Sequence, residues 1–252
     1  MSHQSRAVAV MITRTGKAGQ LLSTLVEEKN LSCWLNPTLK IVAEDFVLPI
    51  DDFEQVIFTS AKAVKYGIEK SSSLSKLLPD TLIAVGSGTA QRLKQAGYED
   101  ITIPDIYSSE GLLALETLKE IKGQSILIVK GIGGRQLLSE QLSKRGATCY
   151  ALDVYRRVTT EIDQNQWQDF LAFNDQQGLK IITMASVDAL NALVSNIGET
   201  FNYSKIVLIV ASQRIAEAAK AYSFKSLVVA KSATNDAMLS AILKFVESKT
   251  IK

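Results

Sequence analysis

The chain has 252 residues, enough for one large domain or two of ordinary size. Its 28 basic and 26 acidic residues nearly cancel, which argues against a general nucleic-acid or membrane-surface binder, so an anionic partner has to be held by a local basic patch. A single histidine, His3, and two cysteines, Cys33 and Cys149, leave almost no material for a zinc site, a Ser-His triad or a disulfide framework.

No apolar run approaches the ~18 residues of a membrane-spanning helix. The N-terminal stretch MSHQSRAVAVMITR lacks a long apolar core before a small-residue cleavage site, so no export signal and a cytoplasmic location are expected, with both thiols reduced.

Along the chain, strand-like runs rich in β-branched residues alternate with helical patterns. AVAVMIT (7–13) leads into a helix over 17–29. VIFTS (56–60) and LIAVG (82–86) follow, then helices over 87–96 and 110–121. SILIVK (125–130) leads into a helix over 134–145, and KIITM (180–184), KIVLIV (205–210), a helix over 213–222 and SLVVA (226–230) complete the series. Runs apolar at successive positions suit strands covered on both faces, as in parallel sheets. Their alternation with helices predicts βαβ units and a doubly wound α/β fold.

The chain also repeats itself. Residues 10–34 align without a gap with 126–150: QLLS recurs in register and Cys33 falls on Cys149. VIFTSAKAV (56–64) resembles KIITMASVDAL (180–190), and 82–103 resembles 208–229. Both copies then pass through a polar stretch into a helix, at YSSEGLLAL and SATNDAMLSAI. Three matches in the same order at nearly one offset read as two copies of one unit, and two related α/β lobes commonly bind ligands in a cleft between them.

The loops expected at the carboxyl ends of the strands carry Arg14, TSAKA (59–63), GSGT (86–89), KGIGGR (130–135), TMAS (183–186) and ASQR (211–214). These are small, hydroxyl-bearing or basic residues at helix starts, a combination that binds anions. The turn KGIGGR fits neither nucleotide motif. From Gly131 the third position of G-x-G-x-x-G is Gln136, and no stretch supplies G-x-x-x-x-G-K-[ST]. What remains is Gly131, Gly133 and Gly134 letting the backbone approach something between Lys130 and Arg135. The plainer alternative is a tight strand-to-helix turn with two solvated cations.

Other candidates also have a plain alternative. Thr59, Ser60, Ser87, Thr89 and Ser212 are either anion contacts or ordinary helix caps. Arg214 is a contact or half of a surface ion pair, and Arg14 ends a strand where a ligand would meet it. Cys33 and Cys149 read as small buried residues, and Trp34 and Trp167 as core.

The stretch ILIVKGIGGRQLLSEQLSKRGATCYALDVYRR (126–157) resembles the central signature of the uroporphyrinogen-III synthases: strand, glycine-rich turn with Arg, L-x-x-x-L helix, R-G-A, then V-Y-x-R. VMITRTGKAGQLLSTL is similar to that family's opening, VIFTSAKAV to its T-S-x-x-A-V element, VGSGTAQRLKQAG to its V-G-x-x-T-A-x-x-L segment, and VASQRIAEAA followed by ATNDAMLSAI to its ending. Two positions depart: Thr15 stands where many members have proline, and Met184 where a serine is common, leaving the hydroxyl of Thr183.

The resemblance implies two similar flavodoxin-like, doubly wound parallel-sheet lobes joined by a two-stranded linker, with a cleft between them. Lobe one would be 1–35 with 158–252, lobe two 39–154, and the linker strands lie near 36–38 and 155–157. It implies a cofactor-free hydro-lyase that closes linear hydroxymethylbilane to uroporphyrinogen III, inverting the last pyrrole ring and losing water. The protein would work as a monomer, with hydroxymethylbilane synthase a candidate for handing over the substrate. Tyr155 matches the tyrosine proposed in the family to assist departure of the hydroxyl; its plain alternative is a linker tyrosine packed between lobes. Substrate carboxylates would fall to Arg14, Thr59, Ser60, Ser87, Thr89, Lys130, Gly133, Gly134, Arg135, Thr183, Ser212 and Arg214. Two rivals remain: a two-lobed anion-binding protein without catalysis, and an inactive paralogue.

Overall fold

In the structure, a computed structural model, residues 7–49, 51–69, 71–133, 136–174 and 178–250 are described. They fall into two compact units. One holds the described residues up to Lys40 and from Val158 onward; the other is Ile41–Arg157.

The first unit opens with β1 (Val8–Ile12), α1 (Gly16–Glu27) and β2 (Ser32–Leu35). The chain then enters the second unit through β3 (Leu39–Ala43). There it forms β4 (Gln55–Phe58), α2 (Ala61–Gly67), α3 (Ser72–Ser75), β5 (Leu82–Ala84), α4 (Ser87–Gln95), β6 (Ile101–Thr102), α5 (Ser109–Ala114), β7 (Ser125–Gly131) and α6 (Leu137–Lys144). The long β8 (Thr148–Thr159) leads back to the first unit, completed by α7 (Gln164–Ala172), β9 (Leu179–Met184), α8 (Val187–Ile197), β10 (Ile206–Val210), α9 (Gln213–Ala219), β11 (Ser226–Val229) and α10 (Asn235–Thr250).

The first sheet has the order β11-β10-β9-β1-β2, with every described pairing parallel. β1, β9 and β10 are buried along their whole lengths, which is why their sequences are apolar without alternation. The second sheet has the order β3-β8-β7-β4-β5-β6. Without β3 it is the first sheet again, strand for strand and parallel throughout. Both follow the 2-1-3-4-5 pattern of doubly wound flavodoxin-like sheets.

Helices cover both faces of the second sheet. Ala63 and Val64 of α2 and Ala90 and Leu93 of α4 pack with Val56, Phe58, Leu127 and Val129. Leu112 of α5 and Leu138 and Leu142 of α6 pack with Ile57, Ile126 and Ile128 on the other face. In the first unit one continuous core surrounds β1, β9 and β10, and the tail helix α10 seals it with Met238 and Ile242.

The repeat has a specific structural form. β1-α1-β2 corresponds to β7-α6-β8, and β9 to β11 with their helices correspond to β4 to β6 with theirs. Each sequence copy is therefore divided: its opening βαβ lies in one sheet and its remainder in the other. The chain crosses between units within β3 and β8, which are hydrogen-bonded neighbours. Glu44 N–H bonds Val154 O and Thr160 N–H bonds Thr38 O, so the two run in opposite directions.

Three details depart from the pattern read off the sequence. β2, β3, β6 and β8 are strands that the apolar runs did not mark; β2, β3 and β6 are short and only partly buried, so their sequences lack the uniform apolarity of central strands. The helix expected over 110–121 stops at Ala114, where Leu115 turns extended (φ −60°, ψ 136°) before one 3₁₀ turn. The predicted helix over 134–145 begins at Leu137; Gly134 and Arg135 lie outside the described residues. Among the described residues no helix is long and apolar enough to cross a membrane.

Candidate active site

In the second sheet the winding reverses between β7 and β4: from β4 the chain steps to β5 and β6, and from β7 it steps the other way to β8. The carboxyl ends of strands flanking such a reversal form a crevice, because their connecting loops diverge to opposite faces. β4 runs into Thr59 and Ser60, and β7 ends in Lys130 and Gly131. A cavity of about 290 Å³ lies there, lined by these four with Ser109, Ile128, Leu138, Ser139, Ala151, Tyr155 and Arg157.

Tyr155 reaches this cavity through a β-bulge. Lys130 pairs with Asp153 but Gly131 pairs with Tyr155, so β8 carries one extra residue at Val154. Along β8 the side chains of Tyr150, Leu152 and Val154 face the α2/α4 side, and strict alternation would send residue 155 to the opposite face. The bulge puts Tyr155 on the same side as Val154. Its ring lies against Gly131, where a Cβ would come within 2.4 Å of the ring carbons Cε2 and Cζ. The Tyr66 ring backs it at 5.8 Å, and Ile132 N–H bonds the Tyr155 carbonyl at 2.9 Å. Only 6% of Tyr155 is exposed.

Its hydroxyl stands 3.1 Å from Ser60 Oγ. Ser60 is the N-cap of α2, in extended conformation, with Oγ accepting from Ala63 N–H at 3.0 Å. Thr59 Oγ1 donates to Val129 O at 3.2 Å, joining β4 to β7 at the cavity floor. The glycine-rich turn thus receives the tyrosine of the neighbouring strand. Gly131 supplies the close approach, and Gly133, at φ +81°, supplies the left-handed bend that L side chains avoid.

Two cations line the cavity. The Lys130 ammonium sits 3.7 Å from Asp153 Oδ1. That carboxylate oxygen is buried and accepts no hydrogen bond among the described residues, so the pair is held by charge alone. Arg157, exposed, stands two positions beyond Tyr155 on β8. Ser109 and Ser139 add hydroxyls from α5 and α6.

Of the residues singled out from sequence, the structure brings Thr59, Ser60, Lys130 and Tyr155 together. Ser87 and Thr89 lie in the first turn of α4, Ser87 exposed and Thr89 buried, and neither lines the cavity. Gly133 adjoins the cavity in the β7 turn, while Gly134 and Arg135 lie outside the described residues. The other four belong to the first unit. Arg14 donates through Nη1 to Ala233 O at 2.5 Å and to Asn235 Oδ1 at 3.3 Å, bracing the start of α10. Ser212 is the N-cap residue of α9, without a side-chain capping bond, and Arg214 is exposed beside it. Thr183 is 3% exposed, inside β9, with its hydroxyl donating to Met11 O at 3.4 Å.

Strand register explains Thr183 and Met184. Ile57 pairs with Ile128 and Ile83, as Thr183 pairs with Ile12 and Ile209. Thr183 is therefore the counterpart of Ile57, and Met184 that of Phe58, both core positions. The serine counterpart of Ser60 is Ser186, which caps α8 by accepting from Ala189 N–H at 3.1 Å. Met184 is the buried last residue of β9 rather than part of a loop.

Sequence reasoning missed Ser109, Ser139, Arg157 and the pairing role of Gly131. The V-Y-x-R spacing held the signal for Arg157, since residues two apart on a strand share a face. Cys33 and Cys149 are half-buried rather than buried as expected; at Cys33 burial, opposed by a hydrogen bond with Ser23, pushes the thiol up to about 11, away from the reactive thiolate. No group of three or more His, Cys, Asp or Glu among the described residues is placed to hold a metal.

Two flavodoxin-like sheets with exchanged halves, one carrying a phenol, hydroxyls and two cations at its switch point, define a duplicated two-unit α/β protein. The sequence profile of the family described as Uroporphyrinogen-III synthase HemD matches residues 20–240. The uroporphyrinogen-III synthase of Salmonella typhimurium is 27% identical over 248 residues, covering 93% of this chain and all of that one. That of Escherichia coli K12 is 26% identical over 253 residues with the same coverage. Among solved structures, the uroporphyrinogen-III synthetase of Helicobacter pylori superposes with TM-score 0.65 at 14% identity, covering 94% of this chain and 99% of that one. A mutant Thermus thermophilus uroporphyrinogen III synthase gives 0.55 at 15% identity, covering 96% and 100%. The two structures share the fold. The chain belongs to the uroporphyrinogen-III synthase family of tetrapyrrole biosynthesis.

Proposed function

We propose that this chain is a working uroporphyrinogen-III synthase and that Tyr155 meets the departing hydroxyl of hydroxymethylbilane. Pyrroles are electron-rich, so the carbon bearing the hydroxyl loses it readily. The C–O bond breaks, its electron pair leaves with oxygen, and the pyrrole nitrogen lone pair supports the azafulvene cation. A phenol assists by donating a hydrogen bond to the departing oxygen, and the proton shed as the macrocycle closes completes the water that is lost. The remaining task is orientation: holding the end rings together for inverted closure, where effective concentration can contribute ~7–11 kcal/mol.

The observation that carries this reading is the setting of Tyr155. A bulge, a glycine and a serine hold its hydroxyl at the wall of the switch-point cavity. Lys130 and Arg157 beside it suit the acetate and propionate groups of the substrate, with Thr59, Ser109 and Ser139 as weaker donors. For a carboxylate to bind Lys130 it has to compete with Asp153. We assign anion contacts within the first unit to the half-buried Ser212 and the exposed Arg214 at the start of α9. Arg14, already bonded to Ala233 and Asn235, acts there as a brace first. In the same reading the protein is a cytoplasmic, cofactor-free monomer that takes its substrate from hydroxymethylbilane synthase.

The test is to supply hydroxymethylbilane, oxidise the products and separate the isomers. Isomer III above the spontaneous isomer I background supports the synthase; isomer I alone leaves a binding protein or an inactive paralogue. Tyr155→Phe should lower turnover by about 10²-fold, the lower end of general-acid contributions, with the fold intact. Unchanged turnover removes Tyr155 from the chemistry.

A further inference from the structure

Tyr155 cannot choose its own orientation. Its ring is pinned between Gly131 and Tyr66, so only the direction of its O–H bond is free. The hydroxyl has a side-chain neighbour at hydrogen-bond distance, Ser60 Oγ at 3.1 Å. That contact has two senses. If the phenol donates to Ser60, its proton is spent inside the protein and only its lone pairs face the cavity. If Ser60 donates to the phenol, the phenol proton is left for whatever occupies the cavity.

The local structure favours the second sense. Ser60 Oγ already accepts from Ala63 N–H at 3.0 Å, in the capping geometry that fixes its own rotamer. A hydroxyl that accepts a hydrogen bond becomes a stronger donor, and chains of bonds aligned head to tail reinforce one another. The aligned chain here runs from Ala63 N–H to Ser60 Oγ–H to Tyr155 Oη–H and ends in the cavity. Negative charge growing on a departing oxygen at that end strengthens every link; the reversed sense would oppose it.

We infer that Ser60 is a positioning residue for Tyr155, donating its proton to the phenol oxygen so that the phenol proton points into the cavity. This rests on the reading of Tyr155 as donor to the departing hydroxyl. It gives Ser60 a duty different from holding a substrate carboxylate, and the two duties separate kinetically. A carboxylate contact acts on KM, whereas an orienting bond acts on turnover.

Two replacements of Ser60 isolate the hydroxyl from the cap. Glycine is nearly as good an N-cap as serine but has no hydroxyl, and threonine keeps both functions. In the full chain, Ser60→Gly should lower kcat roughly tenfold, a fraction of the 10²–10⁴ a general acid supplies, with KM within about twofold and little change in thermal midpoint. Ser60→Thr should recover most of that loss. In a Tyr155→Phe background Ser60→Gly should add nothing further, because its effect passes through the phenol. The inference is overturned if Ser60→Gly raises KM and spares kcat, if Ser60→Gly and Ser60→Thr turn over alike, or if the losses of Ser60→Gly and Tyr155→Phe simply multiply. A Tyr155→Phe variant with unaltered turnover sinks the reading of the tyrosine itself, and this inference with it. A slow Tyr155→Phe beside a Ser60→Gly that behaves like Ser60→Thr sinks the role of Ser60 alone.

Discussion

Gly131 shows how far residue type alone can mislead. A glycine-rich turn after a strand suggests a phosphate cradle, yet here its first glycine faces the protein's own tyrosine. Alanine at 131 would place a methyl group 2.4 Å from two ring carbons, nearer than packed atoms approach, so ring or strand has to move. Overpacking of this kind costs about 1–3 kcal/mol. The ring cannot yield without leaving Ser60, since Tyr66 stands behind it. A displacement of about 1 Å at a reacting group is worth about a hundredfold in rate. Gly131→Ala should therefore reduce isomer III formation by about that factor while thermal denaturation shows a folded protein; activity like that of the parent would mean the ring is not held as described. From the sequence Thr59, Ser60 and Lys130 were legible as residue types at strand ends, and Tyr155 only through the family resemblance. Gly131 as the partner of Tyr155 was not, because nothing in one sequence says which strand a turn will touch.

At the scale of elements, the central strands were readable because burial on both faces makes them uniformly apolar, as in β1, β9 and β10. The two-residue β6 carries no such signature. The bulge in β8 was invisible for a further reason: it is a property of two strands in register, and the sequence of one does not encode it. Register also settles the 183–186 segment. Met184 is fully buried at the position Phe58 occupies in the other sheet, and the capping serine is Ser186. Met184→Ser, which would restore a commoner family residue by linear comparison, should thus damage the core. Losing the buried side chain costs about 3 kcal/mol, with a hydroxyl to satisfy as well. Thr13 Oγ1, 3.4 Å from the Met184 sulfur, already donates to Thr183 O and offers only partial relief. Thermal or urea denaturation should show the loss, with no gain in isomer III per folded molecule; a stable, faster variant would restore Met184 to the list of site residues.

The whole molecule joins two copies of one unit by exchanging their opening βαβ segments. The repeat was plain in the sequence through QLLS and the matched cysteines, but the exchange was legible only through the family resemblance, since a tandem repeat is equally compatible with two self-contained lobes. The exchange has a consequence for folding. The second unit is one continuous stretch, Ile41–Arg157, that contains all members of both its cores, with Val56, Phe58, Leu127 and Val129 on one face and Ile57, Ile126 and Ile128 on the other. The first unit needs chain from both ends, because β1 from the N-terminal segment lies between β9 and β2 in the interior of its sheet. A fragment of residues 41–157 should therefore fold alone, with cooperative urea unfolding followed by circular dichroism. A chain lacking residues 1–35 should keep that transition and lose the one belonging to the first unit, since it lacks the pairing surface on which β9 forms. If the fragment shows no cooperative transition, or the shortened chain keeps both, the exchanged segments are not the units of stability and the two sheets fold only as one.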